Sequence, residues 1–189
     1  MEFIEDKVFE GIKFQEEPLA KAEYENCVFK HCDFSGANLF EFKFSDCEFI
    51  GSNFSLANIS KTAFRDIKFK ECKLLGLHFE HCNEFGLEFT FENCQLDHSI
   101  FYKTKIKKTN FKDSQLKEVD FTECDLTESV FENCDLNNAN FDRTILEKVD
   151  LRSAYNYSID PENNRIKKAK FSIQGISGLL NKYDIKIEN

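Results

Sequence analysis

The chain repeats one large apolar residue at every fifth position over most of its length. The first series begins at Phe9 and ends at Phe79, and the second begins at Leu96 and ends at Leu151. Between them Glu84 and Phe89 keep the spacing of five, and two extra residues follow before Leu96. A fixed period is typical of repeat architectures, because each unit must stack on its neighbours to bury its apolar face.

A second regular spacing within the chain places a small or medium side chain two residues before each large one. An α-helix repeats its apolar face about every 3.6 residues and a strand about every 2, so neither element accounts for a period of five. Two residues of each five therefore point inward and three point outward, which predicts a solenoid. All of the cysteines occupy the small position, and they are Cys27, Cys32, Cys47, Cys72, Cys82, Cys94, Cys124 and Cys134.

Segments such as 37–39 (Ala-Asn-Leu), 124–126 (Cys-Asp-Leu) and 139–141 (Ala-Asn-Phe) resemble the pentapeptide-repeat family. The resemblance covers roughly residues 5 to 153. It implies an all-β fold, a right-handed quadrilateral parallel β-helix in which four pentapeptides form one coil of about twenty residues. The main departure is Glu84 at a centre position, and we expect the chain to bulge there and turn Glu84 to solvent, with Gly86 supplying backbone freedom.

The chain divides into two parts on this interpretation. Residues 1–153 form the β-helix, with about seven coils and an irregular junction near 83–95. Residues 154–189 form a C-terminal capping or dimerisation segment, with a short α-helix at about 172–183. The open end of a solenoid exposes core and unpaired backbone, so this segment either caps its own chain or docks on a second copy. We favour a homodimer through Phe171, Ile176, Leu179, Leu180, Tyr183, Ile185 and Ile187.

Charged residues provide a test of the coil length, because outward residues twenty apart should lie on adjacent coils about 4.8 Å apart. Opposite charges recur at this separation, for example in the file Lys103, Glu123 and Arg143. Glu128 lies between Lys108 and Lys148, and Glu132 lies between Lys112 and Arg152 in the same way. Exposed pairs contribute little energy each, so their main effect is to fix the register.

The inward cysteines are expected to be reduced, buried thiols rather than disulfides, since the chain has a continuous core to stabilise it. His78, His81 and His98 point outward whereas Cys82 and Cys94 point inward, so the sequence predicts no metal site from these residues. Because the histidines and cysteines point in opposite directions, a histidine cannot activate a neighbouring cysteine as a nucleophile. No phosphate-binding loop or nucleophile elbow is present, and we expect no cofactor and no enzymatic activity.

The composition limits the partners. A net charge of -9 argues against direct binding of nucleic acid, which needs a basic patch. The only dense basic cluster contains Lys103, Lys105, Lys107, Lys108 and Lys112, and all but Lys107 have an acid one coil away. No stretch is apolar enough for a membrane span and the start does not resemble a signal peptide, so we expect a cytoplasmic protein.

Within the family, the acidic charge, the uninterrupted coils, the junction near Gly86 and the C-terminal segment resemble the quinolone-resistance branch, the Qnr and MfpA type. That resemblance implies a DNA mimic that binds DNA gyrase or topoisomerase IV and modulates quinolone susceptibility. Several protective members carry long projecting loops, whereas this chain has only a two-residue insertion. The alternative is a general scaffold for another protein, with Phe40, Leu56, Leu75 and Tyr102 as contacts.

We call the series of opposite charges twenty residues apart the charge ladder. A DNA mimic requires acidic side chains that this charge ladder leaves unpaired. Residues 113–142 contain nine acids and one lysine, Lys117. The ladder assigns basic neighbours to Glu123, Glu128 and Glu132, and pairs Asp125 with Lys105. The candidate partner-binding surface therefore consists of Asp113, Glu118, Asp120, Asp135 and Asp142.

Overall fold

The computed structural model describes residues 2–188, which form a parallel β-solenoid as the repeat predicts. Its strands are β1 (Glu2–Glu5), β2 (Val8–Glu10), β3 (Ala22–Glu25), β4 (Val28–Lys30), β5 (Lys43–Ser45), β6 (Glu48–Ile50), β7 (Ala63–Arg65), β8 (Ile67–Lys70), β9 (Phe89–Glu92), β10 (Asn110–Lys112) and β11 (Val130–Glu132). Seven of them form one sheet, in the order β11-β10-β9-β8-β6-β4-β2, and the other four form a second, in the order β1-β3-β5-β7. Adjacent coils are twenty residues apart in most pairs, as where Phe29 faces Phe49.

The sides of the coils that hold no strand consist of tight turns joined by single parallel bridges, such as Asn53 with Lys73 and, on the later coils, Lys105 with Asp125. In the turn at residues 54–57, the Ala57 amide donates to the Phe54 carbonyl at 2.9 Å. Leu56, the third residue of the turn, has a φ of 59°. A hydrogen-bonded turn with positive φ at its third residue is type II. We call the residue two places after each centre the corner residue, and positive φ recurs at this position from coil to coil.

The interior consists of columns of stacked centre residues. Phe29, Phe49 and Phe69 stack with ring centroids 4.8 and 5.2 Å apart. Phe111 and Phe131 continue the same column at 4.6 Å. All of these rings are buried, so each coil adds apolar burial and aromatic contact to the coil before it.

Polar atoms of the inward small residues bond to the backbone of the preceding coil. Cys47 Sγ donates to the Tyr24 carbonyl at 3.5 Å, Ser52 Oγ to Phe29 at 3.2 Å and Thr62 Oγ1 to Leu39 at 2.7 Å. In each case the acceptor belongs to a centre residue of the coil below. A carbonyl oxygen can accept two hydrogen bonds, so these side chains satisfy acceptor capacity that the ladder leaves over.

All eight cysteines are free and buried, in agreement with the inward position that the repeat assigns to them. Burial raises the pKa of Cys47, Cys124 and Cys134 to about 12 each. A thiol with so high a pKa holds almost no thiolate at neutral pH, and the thiolate is the reactive form.

The junction differs in detail from the sequence expectation. Phe91, and not Phe89, stacks on Phe69 and on Phe111, with centroids 5.5 and 5.1 Å apart. Phe89 instead fills the small position opposite Ile67. The Asn83 amide still bonds normally to the preceding coil, so the two extra residues lie between 83 and 89 rather than after Phe89.

The two extra residues of the junction lie in a surface stretch, residues 84–86, whose side chains do not contribute to the core. Glu84 is exposed, as expected. Gly86 has a φ of 72°, which a glycine adopts without strain. The assignment of Phe89 to a centre was wrong because the stack on Phe69 determines the register, whereas the count of five from Phe79 does not survive the insertion.

The short α-helix expected at 172–183 is absent. The structure has 3-10 turns at Ile176–Leu179 and Asn181–Tyr183. Gly178 lies against the last coil so closely that a Cβ there would be 2.3 Å from the Tyr157 carbonyl oxygen. The Gly178 carbonyl accepts from the Ile159 amide at 2.9 Å. Packing of this glycine-containing segment on the coil therefore overrides the weak helical pattern.

The ladder also extends beyond the boundary at residue 153 that the sequence suggests. Parallel bridges join Ile145 to Arg165 and Asp150 to Lys170. The C-terminal segment therefore begins as a further, partial coil and leaves the ladder only after Lys170.

Replacing Leu56 with asparagine is expected to stabilise the protein. Leu56 is 75% exposed, so little burial is lost, while its positive φ strains a leucine backbone and suits asparagine. We expect Leu56→Asn to raise the free energy of unfolding by about 0.5 to 1 kcal/mol, measured by denaturant unfolding.

Leu75→Asn is the matched control, because Leu75 is less exposed and does not have positive φ. It should leave the free energy of unfolding unchanged or lower it. Stabilisation by Leu75→Asn and not by Leu56→Asn would contradict the proposal that positive φ at the corner residue strains leucine.

The buried thiols give a second prediction. In the folded protein, iodoacetamide should modify none of the eight cysteines, because each is buried and several have raised pKa values. In denaturant without reductant, all eight should be modified, as measured by intact mass. Fewer than eight would reveal a disulfide. The variant Asn137→Cys, at an exposed position, should be labelled once in the folded state and serves as the control.

Candidate functional site

The candidate acidic surface lies on the later coils, where the turn geometry directs two of its carboxylates outward. Asp113 and Glu118 are corner residues, with φ values of 49° and 56°. They follow the buried centres Phe111 and Leu116, and both are exposed. Asp120 begins the next side of the same coil. Asp113 and Glu118 therefore mark the two ends of one side, and Asp120 extends the acidic surface around the second corner.

These three carboxylates have polar but no strongly basic neighbours. Asp113 accepts a hydrogen bond from Asn133 Nδ2 at 3.0 Å, and Asp120 accepts from the Thr122 amide at 2.9 Å. Glu118 Oε2 lies 3.4 Å from Nδ1 of His98. Within residues 2–188, none of the three forms an ion pair with lysine or arginine. Their negative charge is therefore available to a partner.

Asp135 and Asp142 are not free, contrary to the sequence expectation. Asp135 Oδ2 lies 3.6 Å from the Lys117 ammonium, and Asp142 Oδ2 lies 3.1 Å from the Arg143 guanidinium. Lys117 and Asp135 are eighteen residues apart and therefore diagonal neighbours on one side of the solenoid. The ladder of twenty considered only residues directly above one another, although long side chains also reach diagonal neighbours.

Two other predicted ion pairs are also replaced, one by a diagonal pair and the other by a pair within a single coil. Lys107, which the ladder left unmatched, pairs with Asp125 at 3.1 Å, and Lys105 does not. Arg152 pairs with Asp150 at 2.7 Å instead of with Glu132. Hydrogen bonds from Arg152 lower the pKa of Asp150 to about 2.

Charged corner residues form ion pairs with corner residues twenty positions away, as the charge ladder predicts. Glu123 lies between Lys103 at 3.5 Å and Arg143 at 3.0 Å, as predicted. Glu128 pairs with Lys148, and hydrogen bonding to Lys148 lowers the pKa of Glu128. These pairs neutralise much of the acidic charge of the later coils, whereas Glu132 has no lysine or arginine partner among residues 2–188.

Asp97 belongs with the unpaired acids, and sequence reasoning missed it. Its carboxylate accepts from the Lys117 amide at 2.9 Å, while the ammonium of Lys117 turns to Asp135. The sequence prediction took its candidates only from residues 113–142, and Asp97 lies outside that stretch. We define the acidic patch as Asp97, Asp113, Glu118 and Asp120.

The C-terminal segment covers the last coil of its own chain. Phe171 and Leu179 are partly buried against the core, and the Phe171 ring lies 6.0 Å from that of Tyr157. Lys182 Nζ lies 2.7 Å from Asp160 and 2.6 Å from Glu162. These hydrogen bonds raise the pKa of Lys182 and hold the segment in place. The capping interpretation therefore has direct support.

The same segment leaves apolar side chains exposed on its other side. Of the predicted interface residues, Leu180 is half-buried and Ile176, Tyr183, Ile185 and Ile187 are exposed. Ile173 is 87% exposed and was not in the predicted set, although it lies between two residues that were. One segment thus both covers the last coil and exposes apolar side chains. Within the described residues, no helical turn has the length and hydropathy needed to cross a membrane.

Comparisons with known proteins agree on the repeat. A family model described as "Pentapeptide repeat region" matches residues 22–90 and 87–155. No curated protein matches the chain in sequence. The full-length structure of QnrB1, described as a plasmid-mediated fluoroquinolone resistance protein, is similar with a TM-score of 0.58 and 18% identity, and the match covers 97% of this chain and 100% of that one.

Two further structures are similar. A trypsin-treated variant of QnrB1 has a TM-score of 0.55 and 19% identity, with 100% of both chains covered. HetL, described as a pentapeptide repeat protein involved in heterocyst differentiation regulation from the cyanobacterium Nostoc sp. strain PCC 7120, has a TM-score of 0.48 and 14% identity, with 88% of this chain and 86% of that one covered. At these identities the likeness concerns the fold.

Proposed function

This chain belongs to the pentapeptide repeat family, and we propose that it is a non-enzymatic binding protein that occupies the DNA-binding surface of gyrase or topoisomerase IV. The acidic patch replaces duplex phosphates in this interaction. The observation that carries the proposal is that Asp113, Glu118 and Asp120 project from one coil without a lysine or arginine partner in residues 2–188. The end-to-end similarity in fold to QnrB1, itself described as a fluoroquinolone resistance protein, supports the choice of partner.

The charge must act locally rather than along the whole solenoid. Seven coils about 4.8 Å apart span about 34 Å, and a DNA duplex of that length carries about 20 phosphate charges. The net charge of this chain is only -9. A patch of unpaired acids on one or two coils can still approach the local charge density of DNA, and unpaired carboxylates need not break an existing ion pair to bind a basic surface.

Quinolones act at the topoisomerase–DNA complex, so a protein that competes with DNA there also changes quinolone susceptibility. The junction at residues 83–89 is short, and its most exposed apolar residue is Phe85, at 77% exposure. Any protection of the topoisomerase from quinolones would therefore depend on the coil surface and this short junction rather than on long loops.

A second candidate function is a scaffold for a different protein partner. Leu56 and Phe85 are the observations that favour it, because both are large, apolar and highly exposed. Phe40 is a weaker contact than the sequence suggests, since its ring is half-buried and lies 5.4 Å from Lys21 Nζ and 5.1 Å from Lys61 Nζ. Apolar contacts would make the affinity for this partner insensitive to salt, unlike that of a DNA mimic.

We also propose that two copies associate through the exposed side of the C-terminal segment. Ile173, Ile176, Tyr183, Ile185 and Ile187 supply apolar area that the chain's own core does not use. Association end to end would double the length of the solenoid. A longer acidic rod resembles a DNA segment more closely than a single copy does.

The topoisomerase proposal predicts a specific loss of binding. The triple variant Asp113→Asn, Glu118→Gln and Asp120→Asn removes unpaired charge, and we expect at least a 10-fold weaker affinity for purified gyrase or topoisomerase IV. Inhibition of supercoiling should weaken in parallel. Affinity of the wild type should fall with salt and with added duplex DNA, because the interaction is electrostatic and competitive.

A matched control changes the net charge by the same amount. The variant Glu123→Gln, Asp135→Asn and Asp142→Asn removes carboxylates already paired with basic residues, so its affinity should change less than about threefold. Equal weakening by both triple variants would show a general charge effect and not a specific patch. No binding of the wild type to either enzyme at 10 µM, a concentration that corresponds to a binding free energy of about -7 kcal/mol, would refute the proposal.

The dimer proposal is tested by Ile185→Asp combined with Ile187→Asp. Charges at these exposed positions should be tolerated in the folded monomer but not in an apolar interface. Sedimentation should show a dimer for the wild type and a monomer for the variant, with similar melting temperatures at low concentration. Val8→Asp, at an exposed apolar position near the other end, is the control and should remain dimeric. A monomeric wild type at 50 µM, well above about micromolar dissociation constants, would contradict the proposal.

A further inference from the structure

One coil departs from the turn geometry of its neighbours. The corner residues Lys61 and Lys103, on the coils before and after, have φ values of 56° and 58°. His81 occupies the same corner and does not have positive φ. Residues Phe79–His81 instead form a 3-10 turn, and the His81 amide donates to the His78 carbonyl at 3.2 Å.

This turn brings two imidazoles and a carboxylate together. A 3-10 helix has about three residues per turn, so side chains at positions i and i+3 lie over one another. The rings of His78 and His81 accordingly stack, with centroids 5.4 Å apart and an interplanar angle of 6°. Glu80 Oε1 lies 2.8 Å from His78 Nδ1 and 3.8 Å from His81 Nε2. One potential ligand atom of each residue lies within 4.8 Å of the other two.

The second carboxylate oxygen of Glu80 indicates that a ligand is missing from this cluster. Glu80 Oε2 is buried and has no hydrogen-bond partner. A buried carboxylate oxygen without a donor is costly, and a bound cation is one of the few groups that compensate for it. The cluster therefore combines two exposed imidazoles with a largely buried carboxylate, one oxygen of which has no hydrogen-bond partner.

Neighbouring groups neither fill nor extend the cluster. Lys61 is directed to Glu41, at 3.9 Å, and Lys103 to Glu123, at 3.5 Å. Cys82 follows directly in sequence, but its sulfur points inward and donates to the Ile59 carbonyl at 3.5 Å. The cluster thus has nitrogen and oxygen ligands only, and the sequence analysis missed it because it considered these histidines together with cysteines.

We propose that His78, Glu80 and His81 bind one divalent transition-metal ion, with zinc as the metal that this ligand set fits best. Two histidines and one glutamate are a known ligand set for tetrahedral zinc, with bonds of about 2.0 to 2.2 Å and a fourth, open position. Ligand atoms on such an ion are about 3.3 Å apart, so Glu80 must move from His78 by about 0.5 Å. Water, or a side chain of a partner protein, occupies the fourth position. The site is independent of the topoisomerase proposal.

The proposal is tested by titrating the full chain with zinc at pH 7.5, using calorimetry and competition with a chromogenic chelator. We expect one zinc per chain. His78→Ala combined with His81→Ala should weaken binding at least about 100-fold, and Glu80→Gln at least about 10-fold. Zinc at 100 times its dissociation constant should raise the melting temperature of the wild type by about 5 to 10 °C, and not that of the variants.

His31→Asn combined with His98→Asn is the matched control, since it removes the other two histidines of the chain, both of them exposed. This variant should bind one zinc as tightly as the wild type. Cobalt(II) should give the visible spectrum of a tetrahedral site without a thiolate charge-transfer band. Absence of binding at 100 µM zinc, equal binding by the His78 and His81 double variant, or a thiolate band would overturn the proposal.

Discussion

The backbone hydrogen bonds between coils are the constraint on which the rest of this structure depends. The Phe34 amide donates to the Asn53 carbonyl at 2.7 Å on one neighbouring coil, and the Asn53 amide donates to Cys32 at 3.0 Å. Because this pattern repeats along the chain, each residue lies directly over the residue twenty places away. Identical positions must then share an environment, so a side chain that suits one coil must suit the whole column.

This constraint explains why the fold could be predicted from the sequence and where the prediction failed. A period of five identifies the centre, the small position and the outward residues without any knowledge of tertiary contacts. At the junction, however, counting forward from Phe79 selects Phe89 and counting back from Leu96 selects Phe91. The stack on Phe69 decides for Phe91, since an interrupted column would leave a cavity. After Lys170 no column exists to count from, and close packing of Gly178 on Tyr157 replaced the expected helix.

The inward hydrogen bond adds a chemical requirement to the small position. Alanine would fit there by size, but cysteine, serine and threonine also donate to the carbonyl of the coil below. Thr104 is an exception, because its hydroxyl donates to the Phe101 carbonyl of its own coil at 2.8 Å and lies 3.2 Å from Cys124 Sγ on the next coil. The many cysteines therefore follow from backbone geometry. Burial raises the pKa of Cys124 and Cys134 to about 12, so these two thiols hold almost no reactive thiolate at neutral pH.

The charge pattern separates what a sequence can reveal about a binding surface from what it cannot. Charges at corners pair with residues directly above or below, as Glu123 does with Lys103 and Arg143. Charges on the sides also reach diagonal neighbours, as Asp135 does with Lys117.

A corner acid can therefore be judged from the residues twenty places before and after it. For Asp113 these are Asn93 and Asn133, and for Glu118 they are His98 and Asn138, so both carboxylates lack a lysine or arginine in their column. Acids on the sides require the diagonal residues as well, since a count of twenty alone left Asp135 without a partner. Specific binding surfaces on such a solenoid should thus be sought first at corners whose columns lack opposite charge, and at coils such as that of His81, where the corner conformation itself changes.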